Sequence, residues 1–149
     1  MTGPQRLTGR IRVGLPPAEA FRLFTPRGEQ DWVHGWDPHF PSPASDDTEP
    51  GTVFETSGHG QRTVWVVTDR QAGRRISYAR MTPGDRAGTV TVTLSPAGQH
   101  GVASDVEVTY QLTALSDAAQ PALREFAGDY PAFLQSWQEG IRARLQAHR

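Results

Sequence analysis

A series of short alternating segments, joined by glycine-containing connections, begins at Gly51 and ends at Ala114. Apolar and polar side chains alternate within each segment, and a period of two is that of a half-buried β-strand. The connections contain SGHG, RQAG, TPGDRAG and SPAGQHG, which are typical of hairpin turns. The pattern therefore predicts an antiparallel meander with strands over residues 52–57, 62–69, 74–82, 88–95 and 102–114.

The last segment shows the alternation most clearly. Its apolar face consists of Val102, Val106, Val108, Tyr110, Leu112 and Ala114, together with Ser104. Its polar face consists of Asp105, Glu107, Thr109, Gln111 and Thr113. An antiparallel sheet with one solvated face has this pattern. Residues 6–13 alternate in the same way, so we expect a sheet of six to seven strands.

Two short helices are expected after the first strand. Proline in a first helical turn favours a helix over residues 17–24, and residues 27–32 could form a second one. Residues 35–51 contain four prolines and two glycines, which is typical of a loop.

The C-terminal region is expected to be helical. Apolar residues recur at spacings of three and four between Leu123 and Leu145, which gives one apolar stripe. Ser116 or Asp117 is a candidate N-cap. Pro131 removes a helical hydrogen bond, so we expect either a kink or two abutting helices there.

These elements set a packing problem. A six-stranded sheet is about 25–30 Å across at roughly 4.8 Å per strand, whereas one helix is only about 10–12 Å wide with its side chains. The sheet must therefore curl around the long helix, with the short helices closing one end. We expect this arrangement to leave a cavity lined by aromatic and aliphatic side chains, as small-molecule sites usually are.

The order of elements resembles the helix-grip fold of the START/Bet v 1-like (SRPBCC) superfamily. The segments FRLFTPRGEQDWVHGWDP, TVWVV, RRISYARMTPGDRAGTVTVTL, VTYQLTAL and YPAFLQSWQEGI resemble its bacterial polyketide cyclase/dehydrase-like branch. The resemblance covers nearly the whole chain and implies one α+β domain over residues 1–149. It implies little about activity, because the superfamily contains lipid carriers, cyclases, hydrolases and chaperone co-activators.

Composition and charge exclude several classes of function. There is no cysteine, so thiolate metal sites are excluded, and no lysine, so Schiff-base chemistry is excluded. The net charge is −1 and no basic stripe is present, which argues against nucleic acid as a partner. No apolar run is long enough to insert into a membrane, and the N-terminus lacks a secretory signal pattern. We expect a cytoplasmic protein without a cofactor. Both a monomer and a homodimer remain open, because the sequence does not indicate the oligomeric state.

The segment DWVHGWDPHF concentrates two tryptophans and two histidines. His34, Asp37 and His39 could bind a metal, since imidazole and carboxylate suit zinc or iron. Alternatively, His34 or His39 could be an acid or a base. Because the spacing is short and irregular, we favour a third interpretation in which Trp32 and Trp36 pack across the mouth of the cavity and no metal is bound.

The residues expected to contact a ligand are Trp36, His39, Trp65, Tyr78, Arg80, Tyr110, Tyr130 and Phe133. The alternation leaves the direction of Arg80 open. If Arg80 points inward, this buried cation requires an acidic ligand or a pairing with Glu55 or Glu107. If it points outward, it is a surface residue. Tyr110 points inward, so its hydroxyl needs a partner from the protein or from a ligand.

Three functional hypotheses follow. The first is binding of a small apolar or aromatic molecule, lipid- or polyketide-like, in the cavity. The second is an enzyme of the cyclase or dehydratase type, which two or more convergent titratable groups in the cavity would favour. The third is an interaction module resembling the Hsp90 co-activators, which a filled cavity and a large exposed apolar patch would favour. No nucleophile motif and no catalytic residue can be assigned from the sequence.

Overall fold

The computed structural model describes residues 3–58 and 60–147, and within them six strands form one antiparallel sheet. The sheet order is β1–β6–β5–β4–β3–β2. The strands are β1 (Gln5–Val13), β2 (Val53–Gly58), β3 (Gln61–Gln71), β4 (Arg75–Thr82), β5 (Arg86–Ala97) and β6 (Ala103–Ala114). From β2 to β6 each strand pairs with the next along the chain, so the predicted meander is confirmed.

The two short helical segments after β1 are also present. Helix α1 (Pro17–Ala20) continues into a 3-10 turn over Phe21–Phe24, and a second 3-10 turn spans Gly28–Asp31. The chain turns tightly between them. A Cβ atom at Gly28 would lie 1.7 Å from the carbonyl oxygen of Arg22, so this position accepts only glycine.

Two helices, α2 (Gln120–Gly128) and α3 (Tyr130–Ala147), follow the last strand. Asp129 separates them with φ −94° and ψ 5°. The chain therefore forms two abutting helices near Pro131, and not one kinked helix. Pro131 occupies the first turn of α3, where its missing N–H is not needed. The division keeps helical hydrogen bonds on both sides, from the Asp129 amide to the Glu125 carbonyl (3.0 Å) and from the Phe133 amide to the Asp129 carbonyl (2.9 Å).

The predicted N-cap of the C-terminal helical region is wrong. Ala119 occupies the cap position of α2, with no side-chain cap, and Pro121 lies in the first turn. Ser116 instead begins a separate turn, in which its hydroxyl accepts a hydrogen bond from the Ala119 amide at 3.2 Å. The helix begins later than expected because residues 116–119 form this turn.

The helices pack on the concave face of the sheet, as the expected α+β helix-grip fold requires. The apolar stripe buries Leu123, Tyr130, Leu134, Trp137 and Ile141 in one core with the inward residues of the strands. Helix α3 approaches β1 most closely, and a Cβ atom at Gly9 would lie 2.4 Å from Leu134 Cδ1. The helix therefore covers the β1 side of the sheet and leaves room on the β2–β4 side.

Trp137→Ala tests this packing. Trp137 is buried and its ring lies 5.3 Å from Trp32 and 5.4 Å from Phe133, between centroids. We expect the free energy of unfolding in denaturant titrations to fall by about 3–5 kcal/mol, as for other buried aromatic residues. The control is Gln135→Ala, an exposed position on the same helix, which should change it by no more than about 0.5 kcal/mol. Equal effects of the two substitutions would contradict the packing described.

Candidate functional site

An inner cavity of about 220 Å³ lies between the concave face of the sheet and α3. Three parts of the chain line it. The strands contribute Phe54, Trp65, Tyr78, Arg80, Val90, Val92 and Tyr110, α3 contributes Phe133 and Trp137, and the segment after α1 contributes Glu29, Val33 and Trp36. Most of these side chains are aromatic or aliphatic, so the wall is apolar with few polar groups.

A larger outer cavity, about 750 Å³, adjoins the inner one. The two share Val33, Trp36 and Arg80, which we call the neck. Beyond the neck, most of the wall is polar, with hydroxyl groups of β2–β4, His34, Asp85 and Arg86. A molecule could therefore enter from the polar outer cavity and pass the neck into the apolar inner cavity.

Six of the eight predicted contact residues line the inner cavity. These are Trp36, Trp65, Tyr78, Arg80, Tyr110 and Phe133. They lie on β3, β4, β6, α3 and the loop after the second 3-10 turn, so only the folded chain brings them together.

The other two, His39 and Tyr130, lie outside the inner and outer cavity walls. The side chain of His39 is exposed, because its backbone pairs with Glu55 through two hydrogen bonds of 2.8 Å at the edge of β2. Tyr130 lies behind Tyr110, and its hydroxyl donates to the Val108 carbonyl at 2.7 Å. Burial raises the pKa of Tyr130, consistent with a structural role.

The histidine segment does not assemble a metal site in the described part of the chain. His34 is exposed and lines the outer cavity, and Asp37 is exposed. Among residues 3–58 and 60–147, no group of three or more histidine, cysteine, aspartate or glutamate side chains could hold a metal ion.

The two tryptophans of this segment are anchored by hydrogen bonds to the backbone of residues 23–26. The indole N–H of Trp32 donates to the Leu23 carbonyl at 2.7 Å, and that of Trp36 donates to the Pro26 carbonyl at 2.8 Å. The ring of Trp36 also packs edge-on against Trp65, with 5.5 Å between centroids. These contacts hold Trp36 at the neck with its one donor satisfied.

Arg80 points to the concave side, which the alternation alone left open. It shares this face of β4 with the buried Ile76 and Tyr78, whereas Met81 on the opposite face is exposed. Its guanidinium carbon lies 5.1 Å from the centre of the Trp65 ring, within the range of a cation–π contact. Burial lowers the pKa of Arg80 from its usual value.

The guanidinium of Arg80 is only partly satisfied. Its Nη2 donates to Thr82 Oγ1 at 2.9 Å, but its buried Nε has no hydrogen-bond partner among the described residues. Neither of the acids considered from the sequence reaches it. Glu55 pairs with Arg62 at 3.6 Å and Glu107 pairs with Arg10 at 3.3 Å. A cation without an acidic partner therefore lies at the neck.

Glu29 is a cavity residue that sequence reasoning missed. The Val33 amide donates to the Glu29 carbonyl at 2.9 Å, and this helical turn presents Glu29, Val33 and Trp36 to the same cavity. Their spacing of four and three residues was the available signal. It was missed because a charged residue in a short helix is usually solvated.

The carboxyl group of Glu29 has no hydrogen bond or ion pair within the described ranges, and its side chain lines the inner cavity and not the outer one. Burial raises the pKa of Glu29 well above its usual value. This is the expected result of placing a carboxyl group among apolar walls without a partner, since desolvation disfavours the charged form.

Two tyrosine hydroxyls on the cavity wall differ in their partners. Tyr78 donates to the Phe24 carbonyl at 2.8 Å, so its hydroxyl is occupied. The hydroxyl of Tyr110 has no hydrogen-bond partner within the described part of the chain. Burial, and then the charge of Glu29, raise the pKa of both groups, so Tyr110 provides a neutral, free donor.

A sequence profile of the family described as "Polyketide cyclase / dehydrase and lipid transport" matches residues 4–146. The chain belongs to this family. No curated protein matches the chain significantly. Within the described residues, none of the helices combines the length and apolar character needed to cross a membrane.

Solved structures of low sequence identity share the fold. Protein MLL2253 from Mesorhizobium loti is 16% identical, with a TM-score of 0.66 over 93% of this chain and 98% of its own. A protein from Rhodobacter sphaeroides is 16% identical, with a TM-score of 0.66 over 99% of this chain and 100% of its own. These likenesses establish the helix-grip fold and nothing about a ligand.

One similar structure comes from a biosynthetic locus. DynU16, described as a protein in the dynemicin biosynthetic locus, is 16% identical, with a TM-score of 0.67 over 97% of this chain. The match covers 48% of DynU16, so this chain spans about half of that protein.

The carboxyl group of Glu29 predicts a pH dependence of stability. Because the pKa of Glu29 is raised on folding, the folded state keeps a proton that the unfolded state releases. The free energy of unfolding of the wild type should therefore decrease as pH rises from the pKa of Glu29 in the unfolded chain to its pKa in the folded protein. Glu29→Gln lacks this contribution, so its melting temperature should rise relative to wild type as pH increases from roughly 5 to roughly 8.

Thermal unfolding followed by circular dichroism measures this difference. Glu19→Gln, which removes an exposed carboxyl group on α1, is the control and should keep a constant difference from wild type. A Glu29→Gln difference that does not change with pH would show that the carboxyl group is solvated.

Proposed function

We propose that this protein binds a small molecule with one or two rings and an acidic or enolic oxygen in the inner cavity. The observation that carries the proposal is the unpaired guanidinium of Arg80 at the neck of an aromatic cavity. The aromatic walls suit the rings, and Arg80 suits the oxygen.

The volume of the inner cavity limits the size of the ligand. An engineered cavity of about 150 Å³ in another protein holds benzene, and pockets for drug-sized ligands range from about 300 to 1,000 Å³. The inner cavity, at about 220 Å³, lies between these sizes. One or two rings would fill it, and any longer part of the ligand would extend past the neck into the outer cavity.

The positive charge of Arg80 favours a ligand that carries an oxygen atom able to accept hydrogen bonds. A buried cation without a partner is costly, and that cost is reduced if a ligand oxyanion accepts hydrogen bonds from Arg80. The free hydroxyl of Tyr110 is a second donor on the same wall. A purely apolar ligand would leave both groups unsatisfied.

A specific observation favours a second candidate, an enzyme of the cyclase or dehydratase type. Glu29, Arg80 and Tyr110 all line the inner cavity, and convergent groups with perturbed pKa values in a cavity are typical of catalytic sites. The family description supports the same class. The surface-module hypothesis would require a filled cavity, whereas the inner cavity is open.

The role of Trp36 can be tested with naphthoate as a two-ring acidic probe. Trp36→Ala removes the indole from the neck, and we expect naphthoate binding by isothermal titration calorimetry to weaken by about 2 kcal/mol or more, as for a buried anchor. His34→Ala and His39→Ala should leave binding unchanged, because both side chains are exposed. Stoichiometric zinc or iron that is lost in either histidine variant would favour a metal site instead.

The role of Arg80 predicts selectivity for the acidic probe. Arg80→Met should weaken naphthoate binding by about 1.5–3 kcal/mol, the usual contribution of a hydrogen bond to a charged group. Binding of naphthalenemethanol, a neutral probe of similar shape, should weaken less. Arg62→Met removes an arginine that pairs with Glu55 outside the cavity and serves as the control. Equal losses for both probes would contradict recognition of the oxyanion by Arg80.

A further inference from the structure

The inner cavity contains an acid and a cation that do not pair. Glu29 lies on the second 3-10 turn and Arg80 lies on β4, and both line the same cavity. No ion pair joins them within the described residues. Both groups line the cavity without contacting each other, so a molecule bound there could contact both of them at once.

We propose that Glu29 is a catalytic residue that transfers a proton to and from the carbon next to the carbonyl of a small cyclic ketone. The carbonyl oxygen would lie at Arg80 and Tyr110, on the walls formed by β4 and β6. This inference rests on the proposed function, because it requires the ring to occupy the inner cavity. It adds the reacting group and the substrate class.

The proton transfer balances without any co-reactant. The Glu29 carboxylate takes a proton from the carbon, the C–H electron pair forms the carbon–carbon double bond of an enolate, and the carbonyl electron pair moves to oxygen. Arg80 and the Tyr110 hydroxyl can donate hydrogen bonds to that oxygen, where the negative charge develops. The carboxyl proton of Glu29 exchanges with water that enters through the outer cavity. Glu29 then returns a solvent-derived proton to carbon, and the carbonyl is restored.

Among the ionisable groups described on the inner cavity wall, Glu29 is the one suited to carry the proton. Tyr78 and Arg80 approach from β4 and Tyr110 approaches from β6, whereas α3 contributes only Phe133 and Trp137. Burial raises the pKa of both tyrosines, and Arg80 remains cationic. Burial also raises the pKa of Glu29, toward the range in which a carboxyl group both takes and returns a proton efficiently.

Hydrogen–deuterium exchange of indanone tests the proposal without knowledge of the natural substrate. Indanone has an aromatic ring fused to a cyclic ketone, and proton NMR in deuterium oxide follows the loss of signal next to its carbonyl. We expect the wild-type protein to accelerate exchange over buffer, and Glu29→Gln to lose that acceleration by about a hundredfold or more, the usual contribution of a general base. The wild-type acceleration should increase with pH, because the carboxylate is the reactive form.

Separate binding measurements distinguish the possible failures. Glu29→Gln should bind indanone as tightly as wild type, and Glu19→Gln should keep the full acceleration. Wild-type protein that binds indanone without accelerating exchange, or Glu29→Gln that retains the acceleration, would overturn the role of Glu29 and leave the proposed binding function intact. Wild-type protein that binds naphthoate but not indanone would overturn the proposed ketone substrate and leave the proposed binding function intact, whereas failure to bind either probe would count against both.

Discussion

The structure depends on a mismatch of widths between one sheet and one helix. Six strands at roughly 4.8 Å spacing are wider than a single helix, which measures about 10–12 Å with its side chains. Helix α3 packs tightly at β1, where Gly9 lets Leu134 approach the backbone. The other side of the concave face must then be covered by something else. The segment from the second 3-10 turn to Trp36 covers it incompletely, and the inner cavity remains.

The cavity contains polar groups whose loss of hydration destabilises the folded protein. Arg80 keeps a buried Nε without a partner, and Glu29 keeps a carboxyl group without one, within the described residues. Apolar residues of similar volume at both positions are expected to stabilise the fold, because no cation and no ionisable carboxyl group would then be desolvated. Destabilising groups of this kind are typical of functional sites, where stability is lower than the fold could reach. The cost is therefore an argument for function that is independent of the family.

Local patterns were sufficient to predict the elements of the fold. The alternation and the glycine-containing connections predicted five strands whose ends lie within about two residues of those observed, because period and turn chemistry are local properties. The apolar stripe predicted the buried face of α2 and α3 for the same reason. The start of α2 was misplaced, because Ser116 begins a separate turn in which its side chain accepts a hydrogen bond from the Ala119 amide.

Local patterns were enough to predict the strand and helix periods and the apolar face of the sheet, and they provided six candidate residues that the fold brings to the inner cavity. Tertiary structure decided the direction of Arg80, since alternation defines two faces but not which one is concave. It also decided that His39 is exposed, through its backbone pairing with Glu55. Glu29 became a cavity residue only when its turn packed over the sheet. Its burial depends on residues of β4, β6 and α3 that are distant in the chain, so no local pattern specifies it.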